Sequence, residues 1–140
     1  MTRIVSGKRK RVKTYAALKR ELDSTFSVWT RRRFADSNGM VRCITCQKVS
    51  HWKTVDAGHY VSRSYLATRW HPENVHPQCK GDNGFRNGAM PQYTVFGIDR
   101  YGPDWPQRMV SLSRETRKYS RADLQTLIDD YKAKIEGLGE

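Results

Sequence analysis

Residues 43–86 read CITCQKVSHWKTVDAGHYVSRSYLATRWHPENVHPQCKGDNGFR. Three spacings stand out: Cys43-x-x-Cys46, Asp56-Ala57-Gly58-His59, and Asn74-x-His76-x-x-Cys79-x-x-Asp82-Asn83. Two cysteines separated by two residues grip one zinc ion through a tight turn, and a second pair from elsewhere closes the tetrahedron. Cys43 and Cys46 are the first half, and Cys79 belongs to the second. The next C-x-x-C position is Asp82, and aspartate binds zinc less softly than thiolate does. His76 competes as fourth ligand, because H-x-x-C has the same spacing on the other side of Cys79. His51 is a more distant option. The opposing reading is a lost metal site with three buried or free thiols.

The remaining polar residues suit a second, different metal. Phosphodiester hydrolysis needs a base, a cation on the phosphate, and fixed geometry between them. An imidazole titrates near neutral pH, which makes His59 the candidate base. Asp56 and Asn83 offer hard oxygen donors that could hold Mg²⁺ or Mn²⁺ and leave its other positions to water and phosphate. Asn74 is placed to orient the turn carrying the base. Singly, each of these residues is as well explained by an ordinary turn or core role. Their order around the cysteines is what makes the set specific.

Working outward, 140 residues make one domain with one modest core, and 37% hydrophobic against 29% charged content makes a metal tie useful. The net charge is +12. It is concentrated in residues 1–42, where twelve Lys/Arg face three Asp/Glu, whereas residues 120–140 hold three against five. Such a field attracts polyanions, and DNA is the expected partner. A merely well-solvated basic surface is the plain alternative. No strongly apolar helix face accompanies the basic run, so a membrane surface is not expected. Three cysteines in this pattern are no disulfide framework. Without an apolar run fit for a signal peptide or a membrane span, the expected location is cytoplasmic.

Residues 1–13 carry six basic side chains and no acid, and read as a flexible basic arm. From Thr14 onward, Tyr15, Leu18, Leu22, Phe26 and Trp29 fall on one helical face. Arg31, Arg32 and Arg33 close that helix, as good dipole partners or as a phosphate clamp. Val55–Val61 is expected to be a strand, with Gly58 marking a bulge or a close backbone approach. Arg69-Trp70-His71 is expected to be a second strand, Pro72 to open a loop, and Cys79 to about Asn87 to form a short helix. Further helices are expected after Pro91, over 103–118, and after a Ser120-x-x-Asp123 capping box, where Leu124, Leu127, Ile128, Tyr131 and Ile135 share a face. The fold class is therefore α+β and mostly helical: a ββα-metal core over about 40–90 with a zinc knuckle, flanked by N- and C-terminal helices, in one domain over 14–140.

The set Asp56, His59, Asn74 and Asn83, ordered around Cys43, Cys46 and Cys79, resembles the HNH (ββα-metal) endonucleases. More closely, Cys43-Ile44-Thr45-Cys46, Asp56-Ala57-Gly58-His59-Tyr60, Glu73-Asn74-Val75-His76-Pro77-Gln78-Cys79 and Asn83 resemble the NinG/Rap family of lambdoid phage recombination nucleases, with weaker similarity through both flanking helices. Family members usually carry Cys where Asp82 stands, and longer members have an additional Cys-rich N-terminal segment, in place of which this sequence has a short basic arm. The resemblance implies metal-dependent nicking of branched DNA, including Holliday junctions and D-loops. Arg31, Arg32, Arg33, Lys80 and Arg86 are the expected phosphate contacts, and Trp52, Tyr60, Tyr65 and Trp70 either stack on bases or pack the core. Symmetric nicking of a junction suits a homodimer, for which the apolar faces of the first and last helices are the expected contact unless they cover each other. The other readings are an HNH nicking nuclease on ordinary duplex, a zinc-stabilised DNA-binding module that does not cut, and RNA binding through the basic arm.

Overall fold

The computed structural model describes residues 12–139. The expected basic arm over 1–13 lies outside the described residues except for Val12 and Lys13.

Helix α1 (Tyr15–Arg32) begins where the Thr14 hydroxyl accepts the Ala17 amide at 3.1 Å. Helix α5 (Arg121–Gly137) begins with the expected reciprocal Ser120–Asp123 capping box. Leu18, Leu22 and Phe26 of α1 meet Leu124, Ile128 and Tyr131 of α5 in one core, with Trp70 and Val75 beneath. The Tyr131 ring meets Phe26 edge-on at 4.8 Å. These faces therefore cover each other within the chain. This is the alternative to their serving as a dimer contact, and burying each such side chain stabilises the chain by about 1.5–3 kcal/mol.

Strands β1 (Met40–Arg42) and β2 (Val49–His51) form a hairpin that was not expected. Its loop carries Cys43 and Cys46, closed by Cys43 N–H to Lys48 O at 2.8 Å and Gln47 N–H to Cys43 O at 2.9 Å. Strand β3 (Asp56–His59) then pairs antiparallel with β4 (Val75–Gln78), in a register that sets Asp56 against Gln78 and His59 against Val75. Arg69–His71 is not the second strand. Arg69 ends the short helix α2 (Leu66–Arg69), and Trp70 follows it into the core. The true strand contains Pro77, a residue that argues against strands because it lacks an N–H. The Tyr60 amide bonds to Asn74 O. Alternation from that pair makes Ala57–Pro77 a pair whose amides face away from each other, so proline removes no ladder bond. Gly58 is required by close approach, since a Cβ there would lie 2.1 Å from Gln78 Oε1.

After β4 the expected helix over 79–87 is replaced by a single π-helical turn, Gly81–Phe85, closed by Arg86 N–H to Gly81 O at 3.0 Å. Asn87, Gly88 and Ala89 all take positive φ, at 50°, 86° and 47°, and reverse the chain into α3 (Met90–Tyr101). Helix α4 (Trp105–Ser113) is shorter than the expected 103–118, with Pro106 in its first turn. Ile44, Tyr93, Trp105 and Met109 form a second core. About half of the chain is helical, a mixed α+β architecture. No helix among the described residues is long and apolar enough to cross a membrane.

Candidate metal centre and adjoining basic cleft

Cys43 and Cys46 on the β1–β2 loop meet Cys79 after β4 and Asp82 on the π turn, with one ligand atom of each within 4.8 Å of the others. Tetrahedral zinc–thiolate bonds of about 2.3 Å put sulfurs about 3.8 Å apart. Cys46 Sγ and Cys79 Sγ are 3.7 Å apart, and Cys43 Sγ is 3.9 Å from Asp82 Oδ2. This Cys3Asp group could hold a metal ion such as zinc. Asp82 is buried, with Oδ2 accepting from Thr45 Oγ1 at 2.6 Å and Oδ1 from Arg86 at 3.0 Å. Those bonds aim the carboxylate at the thiols. The Cys43 thiol is held below its ordinary range: burial pushes it up, but the Thr45 hydroxyl and the amides of Cys79, Cys46 and Thr45 outweigh that.

His76 does not join this group, which corrects it as the alternative fourth ligand. Its ring is fully buried in the other direction, with Nδ1 2.9 Å from Tyr93 Oη and Nε2 2.7 Å from Tyr101 Oη. Tyr93 donates to Gly58 O at 2.7 Å. It must therefore accept from His76 Nδ1–H, which leaves Nε2 to accept from Tyr101. Burial first, then the charges of Arg33 and Arg100, pull His76 down to about 2. His51 is also outside the group, accepting the Lys53 amide on Nδ1.

Beside the cysteines lies a cleft of about 370 Å³ lined by Asp56, His59 and Asn83, with Arg31, Lys53, Arg63 and Lys80 around it. Asp56 accepts from Lys80 Nζ at 2.7 Å and from Asn83 Nδ2 at 3.0 Å. Burial raises its pKa, but the hydrogen bonds from Lys80 and Asn83 and the charges of Lys80 and Arg31 bring it below the usual carboxylate range. A half-turn of the Asn83 amide presents its oxygen to the same space. His59 Nε2 lies 2.8 Å from the Arg69 carbonyl, which can only accept. The proton is thus on Nε2 and the lone pair on Nδ1. Burial is the main cause that lowers the His59 pKa and keeps the ring neutral.

Asn74 is fully buried beneath this cleft. Its Nδ2 donates to Val61 O at 3.0 Å and Thr68 O at 3.1 Å, and its Oδ1 accepts the Val61 amide at 2.9 Å. It fastens the chain just beyond His59 to the end of the following loop.

The basic residues part company. Arg31 lines the cleft but is half-buried against Ser27 and the Trp52 carbonyl. Arg33 points inward, donating to Pro72 O at 2.6 Å and Val75 O at 3.0 Å. Arg32 donates to Gly139 O. All three arginines of the expected clamp are thus engaged by main-chain carbonyls, and of the three Arg31 lines the cleft. Among the aromatics, Trp70 is buried and Tyr60 is half-buried against Trp105, whereas Tyr65 is exposed.

Sequence reasoning missed Asp23, Lys53, Arg63 and Arg69. Asp23 on α1 takes Arg69 through two bonds, at 2.9 and 2.6 Å, and Trp70 Nε1 at 2.9 Å. It thereby fixes the carbonyl that orients His59. The one available signal was an acid inside a strongly basic segment.

A family model described as NinG, the bacteriophage Lambda NinG protein, matches residues 3–140. No curated protein and no solved structure matches the chain.

Proposed function

A chain matched over residues 3–140 belongs to the NinG family, and from that premise we propose that it is a metal-dependent DNA endonuclease of the HNH type acting on branched recombination intermediates. Family membership is consistent with a recombination-related role in a lambdoid phage. The observation that carries the chemistry is the convergence of Asp56, His59 and Asn83 in one cleft edged by Arg31, Lys53, Arg63 and Lys80.

In this reading phosphates of the DNA are drawn to those cations, which position the strand without reading its sequence. His59, neutral and with its lone pair on Nδ1, takes a proton from the attacking water. Asn74 and the Asp23–Arg69 pair hold His59 in place. Asp56 and Asn83 offer the donors for a divalent ion, Mg²⁺ or Mn²⁺, which supplies positive charge at the phosphate and the departing 3′ oxygen. Lys80, with two-thirds of its side chain exposed, is free to leave Asp56 and follow a phosphate. The products are 5′-phosphate and 3′-hydroxyl ends. The Cys3Asp group holds zinc as a structural tie.

A second reading, a zinc-stabilised module that binds DNA without cutting, is favoured by one observation: Lys80 already neutralises Asp56 at 2.7 Å. Cleavage of four-way junction, D-loop and linear duplex, with Mg²⁺, Mn²⁺ or no added divalent ion, separates the readings. The expected result is metal-dependent cutting of the branched substrates, lost in His59→Ala with DNA binding retained. Equal cutting of linear duplex would leave a duplex-nicking HNH nuclease. Binding without cutting under any metal would favour the module.

A further inference from the structure

Phe85 is 94% exposed, the most exposed of the large apolar side chains in the described residues. A phenylalanine so placed loses the burial that ordinarily justifies it, and neither core includes it. It is not carried on a loose loop. The π turn beneath it is closed by Arg86 N–H to Gly81 O, and Gly88 N–H to Asp82 O at 2.7 Å ties the far side. Both Cys79 and Asp82 root the turn in the cysteine group. Turns of this kind gather at functional sites.

Its surroundings say what it would meet. Arg86 follows it directly and Lys80 opens the turn five residues before it; each is paired with an acid, Asp82 and Asp56 respectively, and each keeps 67% of its side chain exposed. Asn83, two residues before it, lines the cleft. Two residues span at most about 7 Å, about two nucleotide steps at 3.4 Å each. An exposed apolar ring on a turn that begins at Lys80 and ends at Arg86 fits a base face edged by phosphates, as in proteins that push an apolar side chain between bases. An apolar protein partner would be repelled from so basic an edge by desolvation of the two charges.

We propose that Phe85 is a wedge that stacks on an unpaired or unstacked base of bound DNA and so sets a branch point beside the Asp56–His59 cleft. The inference rests on the DNA reading above and makes Phe85 a determinant of substrate shape, outside the reacting atoms.

The test is binding, by fluorescence anisotropy without added divalent metal, of a four-way junction and a linear duplex to wild type, Phe85→Ala and Phe85→Trp. A second junction carries 2-aminopurine at its branch point. Since base–aromatic stacking is worth roughly ten-fold or more in affinity, Phe85→Ala should lose about that on the junction and stay near wild type on duplex. It should abolish the wild-type change in 2-aminopurine emission, while Phe85→Trp retains both. An unchanged melting temperature is expected for Phe85→Ala, because no core contact is removed. Equal effects on both substrates, or none on either while wild type still binds and cuts, overturn the wedge and leave the nuclease reading standing. A variant that changes the sedimentation of the free protein also overturns it, since the ring would then be a contact between copies. Wild type that binds neither DNA overturns the wedge and the DNA reading together.

Discussion

At the scale of single residues, the histidines divide by their hydrogen bonds. His59 has Nε2 engaged by the Arg69 carbonyl, whereas His76 has both nitrogens engaged, by Tyr93 and Tyr101. Burial lowers the pKa of His59, His71 and His76, the last to about 2. Each takes up a proton less readily in the fold than in the unfolded chain, where it protonates near 6.5. Their contribution is therefore fully present above pH 6.5 and is lost as pH falls toward the folded values. Between pH 5.5 and 4.5 His76 alone should cost about 1.4 kcal/mol of stability per pH unit. Urea unfolding across that window should show a steep fall in wild type and a slope smaller by about that amount in His76→Gln. An unchanged slope would mean that His76 is not buried neutral. The histidine roles also show the reach of sequence reasoning. The convergence of His59 with Asp56 in one cleft was legible from D-x-x-H, because so short a spacing keeps the two residues close. The identity of His76 as a core residue was not, because its partners lie 17 and 25 residues away.

At the scale of elements, the long helices were legible and the small strands were not, for physical reasons. Helices α1 and α5 bury one face each, so their apolar spacing and caps show in the sequence. Strands β1 and β2 lean on the cysteine loop, so no alternation announces them. Strand β4 is buried at every position and contains Pro77, which reads as a break. The π turn was beyond reach, because Gly81 and Gly84 signal only weak helix. Glycine carries a prediction of its own in α3. By propensity Gly97→Ala should stabilise a helix by roughly 1 kcal/mol. Here the added Cβ would lie 2.0 Å from the fully buried Trp105 ring. Trp105 is pinned by Nε1–H to Glu73 O at 3.0 Å and cannot withdraw freely. Overpacking of about 1–3 kcal/mol should win, and thermal melting of Gly97→Ala should show a lower midpoint. A rise would mean that the α3–α4 contact yields. The cysteine group makes a second element-scale prediction. Asp82 supplies the one hard donor, so Asp82→Cys should slow zinc release to a chromogenic chelator and Asp82→Ala should speed it. Identical release from all three would remove Asp82 from the ligand set.

At the scale of the molecule, charge separates from structure. Within the acid-rich end, residues 120–140, helix α5 (Arg121–Gly137) lies against α1, where Lys132 pairs with Glu21 at 3.0 Å. The cleft gathers Arg31, Lys53, Arg63 and Lys80 beside Asp56 and His59. Of the triple arginine that the sequence offered as a clamp, only Arg31 reaches this cleft, and Lys53 and Arg63 come from segments without a basic run. A polyanion on four such cations displaces its counterions, and log K should fall with log salt with a slope of about −3 to −4. Removing one phosphate contact should flatten that slope by about 0.9. Lys53→Ala is the suitable variant, because Lys53 is exposed and takes no part in the acid–base set. Lys132→Ala, on α5, outside the cleft lining and already paired with Glu21, should leave the slope unchanged while removing the same formal charge. Equal flattening by both variants would show that net charge governs binding, and the cleft would lose its claim as the DNA path. A slope near zero in the wild type would remove the electrostatic footprint altogether.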